Sequence, residues 1–251
     1  MAYETSDILK KEEQGYVMNN LWYPRVTTIV NIKAKPALYR FYGELSSFAE
    51  GETIKNQSAA EGTLVHEAAE KILVGAPADF DPKIKPSMDA LRVFLNEKNV
   101  HVDTDWVEKR ILNYKERYAG TIDALALIDG KFGVLDIKTS IEIYRDYNLQ
   151  TAAYFGSLVD EFPTLQTRWI MRIDQSQKCE KCGAVRRMKG GREKIRKNSK
   201  PECPHEWSEL KGHIELKETP HWRDDFAAFL AAKKLWEWEN EPWLKRIGYL
   251  R

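Results

Sequence analysis

Two apolar and β-branched runs, Tyr118–Ile128 and Phe132–Thr139, are joined through Asp129-Gly130, and this junction constrains the fold more than any other feature of the chain. Asp and Gly tolerate the positive φ that a two-residue turn between antiparallel strands requires. Ala124, Leu125, Ala126 and Leu127 in the first run, and Val134, Leu135 and Ile137 in the second, are apolar at successive positions. Continuous apolar character of this kind belongs to an interior strand pair covered on both faces.

Around this hairpin, helical spacing predicts helices over Pro36–Phe48, from Gly62 through Leu73, over Pro86–Glu97, over Asp146–Val159 and over Pro220–Glu239. Further strands are predicted at His101–Leu112, Thr167–Asp174 and Gly212–Glu218. The order of helices, three strands, helix, strand, insert, strand and helix predicts an α/β domain with a central mixed sheet flanked by helices. Residues 1–174 and 212–251 would form the core, and residues 175–211 would interrupt a hairpin between its last two strands. No run of eighteen apolar residues is present, which excludes a membrane-spanning helix. The opening MAYETSDILKKEEQG lacks the apolar stretch of a secretory signal, so a cytoplasmic location is expected.

Residues two apart on a strand point to the same face, so Asp136 and Lys138 emerge together, and the hairpin can place Asp123 beside them. Neighbouring carboxylates repel unless a divalent cation sits between them. A lysine within reach can orient a water and offset charge on a phosphate, so the three groups together suit phosphodiester hydrolysis. An Asp and a Lys two apart on a strand are also commonly an exposed ion pair of little worth. Charges set among interior apolar residues need partners, however, and that shifts the balance towards function.

The segment GTIDALALIDGKFGVLDIKTS resembles the core of RecB-like nucleases in the PD-(D/E)XK superfamily, a branch that includes phage and mitochondrial genome maintenance exonucleases. Its pattern of a helical His, G-x-x-D, (D/E)-x-K and Q-x-x-x-Y is met in order by His66, Gly120–Asp123, Asp136–Lys138 and Gln150–Tyr154. The superfamily's proline is absent, because Ile122 precedes Asp123. The resemblance implies a restriction-endonuclease-like core in which Asp123, Asp136, the Ile137 carbonyl and His66 hold Mg²⁺ or Mn²⁺. It also implies that Lys138 orients or activates the attacking water, while Gln150 and Tyr154 face the active site and DNA. An imidazole ligand favours Mn²⁺ over Mg²⁺. Glu108, on the strand before the hairpin, is a further candidate carboxylate.

The insert carries its own chemistry. Cys179 and Cys182 form a C-x-x-C turn, and Cys203 and His205 follow. Three thiolates and an imidazole suit a closed, structural Zn²⁺ site, with His213 as a reserve fourth ligand. Between Lys178 and Lys200 ten Lys or Arg stand against Glu180 and Glu193, about +8, whereas the whole chain carries only +1. Arg186, Arg187, Lys194, Arg196 and Lys197 are therefore candidates for binding nucleic-acid phosphates from a basic, zinc-ribbon-like insert. Because the insert lies outside the hairpin, loss of its metal is expected to leave the core standing.

The leading expectation is a metal-dependent DNA nuclease, an exonuclease or end-processing enzyme, acting on DNA with single-stranded character. The alternative is a non-catalytic module that binds nucleic acid through the basic zinc insert. The resemblance to phage members leaves phage encoding open and points to recombination, repair or replication proteins as partners.

Overall fold

A computed structural model of the protein describes residues 2–77, 79–196 and 202–251, with side chains from residue 6 onward. Helix α1 (Ala2–Gln14) leads into a hairpin of β1 (Gly15–Met18) and β2 (Leu21–Pro24), followed by helices α2 (Val26–Val30), α3 (Pro36–Gly43), α4 (Phe48–Leu73) and α5 (Lys85–Glu97). Strands β3 (His101–Val102), β4 (Lys109–Asn113), β5 (Tyr118–Ile122), β6 (Ala124–Ile128) and β7 (Lys131–Lys138) precede helix α6 (Tyr147–Leu158). Then come β8 (Thr167–Lys178), β9 (Val185–Lys189), β10 (Arg192–Arg196), β11 (Lys211–Glu218), and helices α7 (Arg223–Glu239) and α8 (Glu241–Arg246).

The central sheet is mixed. β3, β6 and β7 pair antiparallel, β7 pairs parallel to β8, and β11 lies antiparallel on the other side of β8. β9 joins the end of β8 beyond the reach of β7, and β10 pairs with β9. The Asp129-Gly130 turn forms as predicted, with φ of 50° and 77° and Ile128 opposite Lys131.

Period-two alternation divides the core into two layers. Ala124, Ala126, Ile128, Leu135 and Ile137 pack towards Val65 and Ala69 of α4 and Met88 and Leu91 of α5. Leu125 and Val134 pack towards Ala153 and Phe155 of α6 and Phe229 of α7. Asp136 shares the parity of Val134 and therefore faces α6. The sheet is covered by helices on both faces, which agrees with the α/β reading.

Four elements depart from the sequence reading, the first being the helix expected over Pro36–Phe48, which ends at Gly43 before Ser47 opens α4. The expected strand 101–112 breaks into β3, a 3-10 turn at Thr104–Trp106 and β4, with Glu108 left-handed at φ 49°. The expected strand 118–128 divides at Asp123: β5 pairs with β4 in a separate two-stranded sheet, whereas β6 enters the central sheet. Helix α4 starts fourteen residues before Gly62, because Ser47 caps the Glu50 amide at 3.2 Å and Glu50 in turn accepts from the Ser46 amide at 3.1 Å. The segment AEGETIKNQSAAEG lacks an apolar stripe, so periodicity gives no sign of this extension.

Arg168 of β8 is the largest fully buried side chain. Its guanidinium donates to the carbonyls of Thr219, Asn148 and His221 at 2.8–2.9 Å and to the Asp225 carboxylate at 2.7 Å. One cation thus ties the start of α6, the segment after β11 and the first turn of α7. Arg168→Met would strand several buried acceptors and is expected to cost about 3–5 kcal/mol, measured as a shift in the urea midpoint at unchanged slope.

Candidate functional site

The ends of β6 and β7 create the site. Where β6 stops, the Asp123 side chain takes over from the backbone and accepts the Ile137 amide hydrogen. A strand residue directs its N–H and C=O to the same edge, so the Ile137 carbonyl also faces the edge that β6 has vacated. Asp136 is buried, and Lys138 Nζ lies 2.6 Å from its Oδ2. The Tyr147 ring lies under the same ammonium, 5.1 Å away.

Each remaining piece of the ordered pattern has a steric or hydrogen-bonding role. A Cβ on Gly62 would sit 3.2 Å from Thr139 Oγ1, so glycine allows α4 to cross closely over the end of β7. One turn later His66 Nδ1 lies 3.7 Å from Asp123 Oδ1. A Cβ on Gly120 would meet the Tyr154 ring at 2.5 Å, so this glycine makes room for Tyr154. Gln150 Nε2 donates to the Tyr154 hydroxyl at 2.8 Å and to Asp136 Oδ1 at 3.2 Å. Tyr154 was expected to face DNA; it is only 3% exposed and instead positions Gln150, which orients Asp136.

Gly62, His66, Glu108, Asp123 and Thr139 line an open cleft of about 540 Å³. Glu108 reaches it because the left-handed turn before β4 folds back, with its amide bonded to the Asp123 carbonyl at 3.0 Å. Ligand atoms of His66, Glu108 and Asp123 all lie within 4.8 Å of one another. Sequence position placed Glu108 on a neighbouring strand, but only the strand break brings it beside Asp123.

The electrostatics favour a cation. Burial, together with the nearby Asp123 charge, raises the Asp136 pKa to about 6 despite Lys138, and burial raises Asp123 as well. Burial and the neighbouring Asp123 raise Glu108 to about 7. His66 is lowered by burial and then by the Lys138 charge, so its ring is neutral and can offer a lone pair. Burial works against charge on Lys138, yet the Asp136 and Asp123 carboxylates outweigh it and keep the amine protonated. One imidazole and clustered carboxylates form a donor set suited to Mn²⁺ or Mg²⁺.

In the insert, Cys179, Cys182, Cys203 and His205 come together with ligand atoms within 4.8 Å of one another. Cys179 Sγ is 3.9 Å from Cys203 Sγ, and Cys182 Sγ is 3.4 Å from His205 Nδ1. This cluster could hold a metal such as zinc. His213 does not join it: it sits in β11 and its Nε2 is 2.9 Å from Ser176 Oγ. Trp207 covers the cluster, with its ring 4.7 Å from that of His205 and also 4.7 Å from the Arg186 guanidinium.

The basic candidates separate into two groups. Arg186 is engaged by Gln177 at 2.6 Å as well as by Trp207, and Arg187 by Asp174 at 2.6 Å and the Thr139 carbonyl at 2.8 Å. Both are held by internal partners. Lys194 and Arg196 are exposed, the latter 3.6 Å from Glu142. Lys197 lies outside the described residues. Lys189, which the sequence reading passed over, donates to the Thr139 carbonyl and hydroxyl at 2.6 and 2.7 Å, next to Lys138. Gly190 donates to Glu61 of α4 at 2.9 Å. The insert therefore rests on the core beside the cleft, contrary to the expectation of independence.

Among the described residues no helix is long and apolar enough to cross a membrane. No protein-family model matches the chain, and no curated protein matches it. Among solved structures, one described as the crystal structure of SSO0001 is 15% identical, with 93% of this chain and 84% of that chain covered, at a TM-score of 0.37.

Proposed function

We propose that the protein is a metal-dependent nuclease that hydrolyses phosphodiester bonds in DNA, built as a restriction-endonuclease-like core with a zinc-binding insert. The observation that carries this reading is the convergence of Asp123, Asp136, Lys138, His66 and Glu108 at one end of the β6–β7 hairpin, where His66, Glu108 and Asp123 line one cleft. His66, Asp123 and Glu108, with the Ile137 carbonyl, would hold Mn²⁺ or Mg²⁺; Asp136, expected among the ligands, lies outside this cluster because its carboxylate is taken up by Lys138 and Gln150. Bound there, the ion would supply Lewis-acid polarisation of the phosphate and a more acidic water.

The chain's own groups do the rest. Asp136 holds the Lys138 ammonium in place and is itself oriented by Gln150. Lys138, kept protonated by its carboxylate neighbours, is a cation that orients the attacking water and offsets charge developing on the phosphate. In the insert, Zn²⁺ on Cys179, Cys182, Cys203 and His205 would be structural, with all four positions filled by protein.

Incubation of end-labelled single- and double-stranded DNA and RNA with Mn²⁺, Mg²⁺ or EDTA tests the reading. Cleavage of DNA that requires the divalent ion is expected, with Mn²⁺ at least as effective as Mg²⁺ because of the imidazole ligand. Binding of DNA without cleavage under any of these ions would replace the enzyme by a binding module.

A further inference from the structure

We infer that a single polynucleotide strand runs through the groove between the β9–β10 hairpin and helices α3 and α4, on its way to the cleft. This rests on the nuclease reading and names the form and path of its substrate. The hairpin register pairs Arg192 with Lys189 and Lys194 with Arg187. Cross-strand partners, and residues two apart, share a face. Arg187, Lys189, Arg192, Lys194 and Arg196 therefore form one basic face, while Arg186, Met188, Glu193 and Ile195 form the other.

Like charges directly opposite each other destabilise a hairpin. Two such pairs stand side by side here, and the internal partners relieve only part of the repulsion. Arg187 is paired with Asp174, whereas Lys189 only donates hydrogen bonds to a carbonyl and a hydroxyl and keeps its charge unpaired by a carboxylate. Arg192 and Lys194 form no ion pair within 4 Å among the described residues, and the acidic group that feels the Arg192 charge is Glu50 of α4, itself held by Ser46. A polyanion is the partner that would relieve this arrangement.

The opposite wall supplies an aromatic ring. Phe41 of α3 and Ile54 and Ser58 of α4 face Lys189, Arg192 and Lys194 across a space of about 220 Å³. The Arg192 guanidinium is 5.7 Å from the Phe41 ring centroid. Cations alongside an aromatic ring are how sequence-independent single-strand sites are built. Ser58 also lines the catalytic cleft, so the two spaces lie on the same stretch of α4. The hairpin tip is seated on α4 at Gly190, where a Cβ would meet Ser58 Oγ at 2.2 Å and the Ile54 carbonyl at 2.6 Å. The tip's left-handed glycines (φ 63° and 71°) thus let the hairpin seat closely on α4.

The test is fluorescence anisotropy with labelled 20-nucleotide oligothymidylate, oligouridylate and a 20-base-pair duplex, with Ca²⁺ in place of Mn²⁺. Arg192→Gln/Lys194→Gln should weaken single-strand binding about tenfold near physiological salt. It should also lower the slope of log K against log salt by about 1.4, roughly 0.7 per lost phosphate contact. Phe41→Ala should weaken binding about tenfold with the slope unchanged, because stacking is not electrostatic. Tighter binding of either single strand than of the duplex supports the groove. Wild-type affinity and slope in Arg192→Gln/Lys194→Gln, or a preference for the duplex, would overturn it.

A short ester, thymidine 5′-monophosphate p-nitrophenyl ester, separates the two readings. The double variant should lose at least tenfold more activity on the 20-mer than on this ester; equal losses would move the effect to the cleft and sink the groove. A wild-type protein that hydrolyses neither substrate, yet binds single strands through Arg192 and Lys194, would remove the nuclease reading and leave the groove.

Discussion

Asp136→Ala and Lys138→Ala are each expected to reduce divalent-ion-dependent cleavage by at least about 10²–10³-fold, the scale seen when one preorganised group that stabilises transition-state charge is removed. The two substitutions act on one unit, since Lys138 Nζ lies 2.6 Å from Asp136 Oδ2, so the double variant should be little worse than either single one. A second readout separates chemistry from folding. Mn²⁺ should raise the melting temperature of the wild type, because an ion that binds only the folded state stabilises it by about 2.7 kcal/mol at a hundred times its Kd. His66→Ala should lose most of that increment, as it removes the nitrogen donor 3.7 Å from Asp123. Rates near wild type in a folded Lys138→Ala protein would remove the assignment of the site.

The second large effect concerns the cysteine cluster. Cys179→Ser or Cys203→Ser should release about one zinc per chain, since a structural site needs all four ligands. It should also open residues 175–211 to protease, because so small a segment with few apolar residues depends on its metal to fold. The sequence alone argued that the core would be untouched. The tertiary contacts argue otherwise, since β9 and the hairpin tip reach the core through Arg187 and Lys189 on the Thr139 carbonyl and Gly190 on Glu61. Zinc loss should therefore weaken strand binding and cleavage by about tenfold or more, in line with the loss of several phosphate contacts. Brief EDTA treatment should stop cleavage with zinc still bound, and Mn²⁺ should restore it. Iron in the purified protein, or full activity after zinc loss, would contradict this account.

The comparison of sequence with structure divides along physical lines. Local chemistry was legible. Asp129-Gly130 specified its turn because few residue pairs accept two positive φ values in succession. Period-two alternation placed Asp136 and Lys138 on one face of β7, and the C-x-x-C and C-x-H spacings brought together the four residues that cluster in the insert. The ordered motif also carried more structure than its spacing states, since Gly120 is the seat of the Tyr154 ring and Gln150 the bridge to Asp136.

What sequence could not supply depended on where chain segments meet. The polar first half of α4 has no apolar stripe to announce it and is organised by the Ser47 cap and by packing, with Gly51 seated against the Tyr42 ring. The breaks at Glu108 and Asp123 lie within runs that read as continuous strands, because propensity is local while the choice of sheet partner is not. Those breaks bring Glu108 beside Asp123 and expose the Ile137 edge. Lys189 looked like one cation among many in a basic insert. Its approach to Thr139 accompanies a β9–β10 hairpin held at its base by the cysteine cluster and at its tip by Gly190 against α4, the latter a contact between residues 129 positions apart.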